Sequence, residues 1–144
     1  INNRYIDKIV LNKRTGSLIT KNSFYTPKGK KSAKDILEAV KKNKSVFLLI
    51  DQKDSAGEDI NFFDYKVKSQ VGFLKIAKKY QMPLIPIQNI RKKDDSFSII
   101  FHKSVELNSK NIEEAILMQK IHKIVEKWII SEPSQWFWQH NRFN

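Results

Sequence analysis

Ser45-Val-Phe-Leu-Leu-Ile50, followed by Asp51-Gln52, is the stretch on which the fold turns. It is too short for an ordinary helix, and its uncharged apolar character fits a strand buried on both faces of a sheet covered by helices. Before it, Ser32 offers a cap to a helix whose Ala33, Ile36, Leu37 and Val40 share one face and which ends near Asn43. Further back, Tyr5, Ile6, Ile9 and Val10 have helical spacing over residues 4–14, and Gly16 supplies a stop. Residues 17–20 read as a short strand, leading into a polar loop with Pro27 and Gly29.

After it, residues 53–59 read as a polar loop around Gly57, and residues 60–63 as a short extended piece. Ser69 can cap a helix carrying Val71, Leu74, Ala77 and Tyr80, which Pro83 ends before a second buried strand at residues 84–87. Phe97, Ile99 and Phe101 alternate with their neighbours and predict a hairpin with that preceding strand through the turn at residues 92–95. Ser109 or Asn111 opens a last long helix with Ile112, Ala115, Ile116, Ile121, Val125, Trp128 and Ile129 in its core stripe, and Pro133 closes it. Helix and strand alternate, so the expected class is α/β, a mixed sheet flanked by helices.

The 144 residues suit one domain, and 40% hydrophobic with 29% charged residues is a globular balance. Twenty-seven basic residues against 15 acidic give +12, and 23 of the 27 are lysines. Residues 1–50 hold +9 of this, densest at Lys28, Lys30, Lys31 and Lys34 and again at Lys41, Lys42 and Lys44. Such a patch suits an anionic lipid surface, a nucleic acid, or nothing beyond a solvated helix face. With no cysteine, disulfides and thiolate chemistry are excluded. No apolar run approaches the roughly 20 residues of a membrane-spanning helix.

Motifs for phosphate-cradling loops and serine hydrolases are missing, and His102, His122 and His140 do not have the companions of a metal site. His122 and His102 each have a carboxylate four residues on, and both read as surface or structural histidines. Asp51 stands at the carboxyl end of the expected strand, where α/β sheets bind ligands, although a turn or loop-holding carboxylate would look the same. In the tail, Trp136 and Trp138 flank one residue, so an extended backbone would point both the same way, toward a membrane interface or a core.

At that tail a resemblance becomes specific. Pro133-Ser-Gln-Trp-Phe-Trp-Gln-His-Asn-Arg-Phe143 resembles the closing Pro-Glu-Gln-Trp-x-Trp-x-His-x-Arg-Phe of the bacterial lipid A biosynthesis acyltransferases. Asn3-Arg-Tyr-Ile-Asp7, with Arg14 and Gly16 after it, is similar to the family's Asn-Pro-x-x-Asp and Arg-containing helix. Ile50-Asp-Gln52, Phe62-Phe63 and Gly72 correspond to its Asp-Gln strand end, Phe-Phe-Gly element and Gly-containing helix, and residues 83–87 to its Pro-containing strand. Arg4 stands in place of the proline, Asp64 of the glycine, Ser134 of the acidic residue and Asn141 of an arginine.

The resemblance implies a glycerolipid-acyltransferase-like fold that moves a fatty acyl group from acyl carrier protein or coenzyme A to a hydroxyl of a lipid A precursor, at the cytoplasmic face of the inner membrane and without a cofactor. A histidine takes the hydroxyl proton during attack on the thioester, and a carboxylate orients it. The family's His-x4-Asp/Glu dyad has no match here, since Leu107 and Lys127 stand five residues after His102 and His122. The chain is therefore expected to be the C-terminal portion of the domain, with the dyad and the membrane anchor upstream. It would supply scaffold and substrate surfaces: Asp51 and Gln52 as a polar wall, Arg14 and Arg142 for phosphate or carboxylate groups, and His140 near the site. The arginines could equally make surface or internal ion pairs, and His140 could serve tail packing. The rival reading is a noncatalytic basic domain binding lipid or nucleic acid, though no nucleic-acid-binding motif accompanies the charge.

Overall fold

A computed structural model describes residues 3–18, 26, 30–107 and 112–143. The order is α1 (Arg4–Leu18), α2 (Lys30–Lys41), β1 (Lys53–Phe62), β2 (Tyr65–Ser69), α3 (Gly72–Lys79), β3 (Ile87–Arg91), β4 (Phe97–Phe101) and α4 (Glu114–Ser131), with a 3-10 turn at Pro133–Gln135. The class is α/β, with the described strands in two antiparallel hairpins, β1–β2 and β3–β4.

Asn3 starts α1: its Oδ1 accepts from the amides of Tyr5 and Ile6 at 3.0 and 3.2 Å, the side-chain cap that helix starts favour. The helix runs through Gly16 to Leu18, so the expected stop is not used and positions 17 and 18 are helical rather than extended. Residues 19 and 20, Pro27, Gly29, Ser109 and Asn111 lie outside the described residues. α2 begins at Lys30, placing Ser32 inside the helix, and buries Ile36, Ala39 and Val40 along one stripe.

Between Phe62 and Tyr65, which pair in register, Phe63 and Asp64 form a two-residue turn with φ of 49° and 65°. Positive φ at both central positions matches the right-handed twist of a hairpin. Residues 53–59, expected as a loop, belong to β1. Gly57 allows this, because a Cβ there would lie 2.1 Å from the carbonyl oxygen of Ser69. The close approach accompanies a register irregularity in which Lys53 and Glu58 both face Ser69.

The hairpin's inner face (Ile60, Phe62, Val67) packs with Val71, with Leu74 of α3, and with Leu117, Met118, Ile121 and Ile129 of α4. α3 is capped at Val71 without a side-chain bond, so Ser69 is not its cap. Lys78, in the last turn of α3, bonds the Ile112 carbonyl and pairs with Glu114 in the first turn of α4 at 2.9 Å, complementing both helix dipoles. Ile116, expected in the core stripe, faces outward instead.

A hairpin turns at the expected residues 92–95, where Asp94 accepts from the Ser96 amide and hydroxyl and Asp95 has φ 63°. However, β4 pairs with residues 87–91 rather than with the buried strand expected at 84–87, of which only Ile87 joins the ladder. Leu84 makes one bridge to Val105. Residues 45–50 join no ladder among the described residues; Phe47 and Leu49 are 76% and 80% exposed. The expected buried strand is thus not formed among the described residues, whose strands pair only within the two hairpins.

Candidate functional site

Residues 45–50 form one wall of an apolar groove of about 1170 Å³. Residues 82–90, with Ile99 and Phe101 of β4, also line it, as do Ile121, Val125 and Trp128 of α4. His102 stacks on Trp128 with centroids 4.8 Å apart, and its amide donates to the Pro86 carbonyl, so this histidine fixes the β3–β4 hairpin against α4. Trp136 also lines the groove, and its polar lining includes Asp51, Glu132, Lys44, Asn43, Gln88 and Gln135.

Next to Asp51 lies a buried polar cluster. Ser69, His122 and Arg142 are 0%, 1% and 2% exposed. The Arg142 Nη1 donates to the Lys68 carbonyl at 2.9 Å, and Nη2 donates to the Ser69 hydroxyl and approaches His122 Nε2 at 3.2 Å. Ser69 Oγ lies 3.1 Å from the same Nε2, and His122 Nδ1 lies 3.0 Å from the Met118 carbonyl. The guanidinium also sits 5.8 Å from the centre of the Phe62 ring. Arg142 Nε is buried and has no hydrogen-bond partner among the described residues.

Burial is the main force holding His122 below its ordinary pKa, with the Arg142 charge adding to it; the Met118 carbonyl, Glu126 and Asp51 oppose. Burial likewise lowers Arg142, and the Asp51 carboxylate pulls it back up. Glu126 is held by the Phe63 amide at 2.9 Å and by Lys123 at 2.7 Å.

Of the residues expected from sequence, Arg142 belongs to this cluster and Asp51 acts on it through its charge. Gln52 and His140 are exposed and do not line the groove. Arg14 belongs to α1, and its side chain is outside the described residues. The two tail tryptophans diverge. Trp136 packs toward Phe62 at 5.9 Å, whereas Trp138 is exposed and donates its indole N–H to the Pro133 carbonyl at 2.7 Å, because a tight turn replaces the extended backbone.

Ser69 was legible only as a helix cap, and no local signal tied it to Arg142, 73 positions away. His122 had a usable signal: it adjoins Ile121 and stands four residues after Met118, within the apolar stripe of α4. Among the described residues no three His, Cys, Asp or Glu side chains cluster as metal ligands would.

The family model for bacterial lipid A biosynthesis acyltransferase matches residues 1–144. No curated protein matches the chain significantly.

Proposed function

Because the chain belongs to the bacterial lipid A biosynthesis acyltransferase family, we propose that it is the C-terminal portion of a domain that transfers a fatty acyl group from acyl carrier protein or coenzyme A to a hydroxyl of a lipid A precursor. Family membership implies an acyl donor and a lipid A acceptor in general. The observation that carries the finer reading is the groove: a mostly apolar trough with polar groups, Asp51, Lys44 and Glu132 among them, suits a hydrocarbon chain with a polar head. Residues 45–50, which join no ladder among the described residues, offer backbone groups on which a further strand can pair. The portion bearing the His-x4-Asp/Glu dyad docks there in this reading and roofs the groove. Its histidine takes the acceptor hydroxyl's proton as the oxygen attacks the thioester carbonyl, and the thiol leaves.

Placement at the cytoplasmic face of the inner membrane is part of the same proposal. Among the described residues no helix is long and apolar enough to cross a membrane. α1, however, exposes Tyr5, Ile6 and Ile9 within the basic first third, the pattern of a helix lying on an anionic surface.

The test is acyl transfer to a lipid A precursor by the full-length protein, with each donor, against residues 1–144 alone. Turnover by the full-length protein and none by residues 1–144 is expected, and turnover by residues 1–144 alone would end the proposed division of labour. Asp51→Ala should lower full-length turnover, and unchanged turnover removes Asp51 from the site. Flotation with anionic liposomes is expected; DNA binding with a steep salt slope and no lipid binding would favour the noncatalytic alternative.

A further inference from the structure

We propose that Ser69, His122 and Arg142 form a proton-sensitive lock, which docks the C-terminal tail onto β2 and α4 and so positions Trp136 at the groove. Donors and acceptors fix the arrangement. The Met118 carbonyl only accepts, so His122 Nδ1 carries a proton and donates to it. A guanidinium only donates, so Nε2, facing Arg142 Nη2, must be the bare acceptor nitrogen. The Ser69 oxygen receives Arg142 Nη2, leaving its own proton to donate to Nε2. The arrangement is therefore closed around a neutral His122 of one tautomer.

A second proton on His122 would put an N–H donor on Nε2 against the Arg142 N–H groups, with two positive charges at bonding distance in a buried space. To His122, β1 presents the Phe62 ring edge-on at 5.1 Å, β2 presents Ser69, α4 presents the Met118 carbonyl and Glu126, and the tail presents Arg142. Asp51 acts from the segment before β1. The two carboxylates favour a charged imidazole, but Glu126 is already engaged by Lys123 and the Phe63 amide. Burial and the guanidinium outweigh them, so the neutral form is the stable one.

The tail follows Arg142 because its other attachments lie close by. Phe143 stacks on Phe62 at 5.7 Å and 13°, and Trp136 leans on the same ring. Arg142 is thus a positioning residue, and this role does not depend on which acyl donor the groove serves.

The test is amide-exchange protection of residues 137–143 in the intact protein as a function of pH, together with the ring ¹⁵N shifts of His122. At pH 7.5 a protonated Nδ1 and a bare Nε2 are expected; the opposite tautomer would overturn the lock. Tail protection should fall on the order of tenfold, beyond any global loss, as pH drops below about 6.5, the ordinary histidine value. In His122→Gln, whose amide oxygen can still accept from Arg142, the tail should stay protected across the range. In Arg142→Met it should be unprotected throughout. A wild-type pH step retained in His122→Gln, or full tail protection in Arg142→Met, refutes the proposal.

Discussion

The side-chain amide of Gln135 accepts from the backbone N–H of Arg91 at 2.9 Å and donates to its carbonyl at 3.2 Å, taking the place of a neighbouring strand. Gln119 does the same for Asn61 on β1, at 2.8 and 2.7 Å. Each hairpin is thereby tied to α4 or the turn after it, and the glutamine of the tail motif has a physical task. It satisfies an edge that would otherwise be open to pairing.

Gln135→Ala should therefore cost about 1 kcal/mol, the net value of exposed backbone bonds, and loosen β3 more than β1. Urea denaturation measures the first and amide exchange at residues 87–91 the second. Gln135→Glu keeps the acceptor and loses the donor, so it should fall between wild type and alanine. Equal loosening of both hairpins would contradict the assignment.

Two departures from the family pattern sit where backbone conformation favours the family residue. Asp64, with φ 65°, replaces a glycine, and glycine adopts that region without the Cβ penalty. Arg4 is the first residue of α1 after the Asn3 cap, where proline is preorganised. Asp64→Gly should stabilise by about 0.5 to 1 kcal/mol and Arg4→Pro by about 0.5 kcal/mol. The sites lie in separate elements, so the double variant should show the sum in thermal unfolding.

The glycines at 57 and 72 should respond oppositely to alanine. At Gly57 the new methyl meets the Ser69 carbonyl at 2.1 Å, and separating the strands should cost about 2 kcal/mol. Because Ser69 belongs to the buried cluster, tail exchange should rise as well. Gly72 opens α3 with nothing within 4 Å of such a methyl, so Gly72→Ala should be neutral or gain about 0.5 kcal/mol.

Lys78 links α3 to α4, and its bond to Glu114 is the main reason that carboxyl titrates below its ordinary value of 4.5. Between the folded and unfolded values the unfolded chain binds more protons. The stabilisation is therefore full above about 4.5 and is lost as pH falls through the lower folded value. Lys78→Met should cost about 1 to 2 kcal/mol at neutral pH and flatten the acid limb of the stability profile below 4.5. An unchanged acid limb would show that the pair contributes nothing.

The amino-acid sequence by itself determined what local patterns can carry. The stripes of α2, α3 and α4 follow from side-chain period, and the β3–β4 hairpin from alternation and an Asp-Asp turn. The tail motif sufficed to identify the family. Only the tertiary structure decided the rest, because strand pairing and buried polar contacts depend on partners far along the chain. The apolar residues 45–50 fit a strand by composition, but a strand needs a neighbour's hydrogen bonds, and neither hairpin supplies them. The polar residues 53–59 became one because Gly57 lets the backbone reach Ser69. Ser69 and Arg142 looked like a helix cap and an anion ligand, the local options of a hydroxyl and a guanidinium. Across 73 positions of chain they hydrogen-bond to each other.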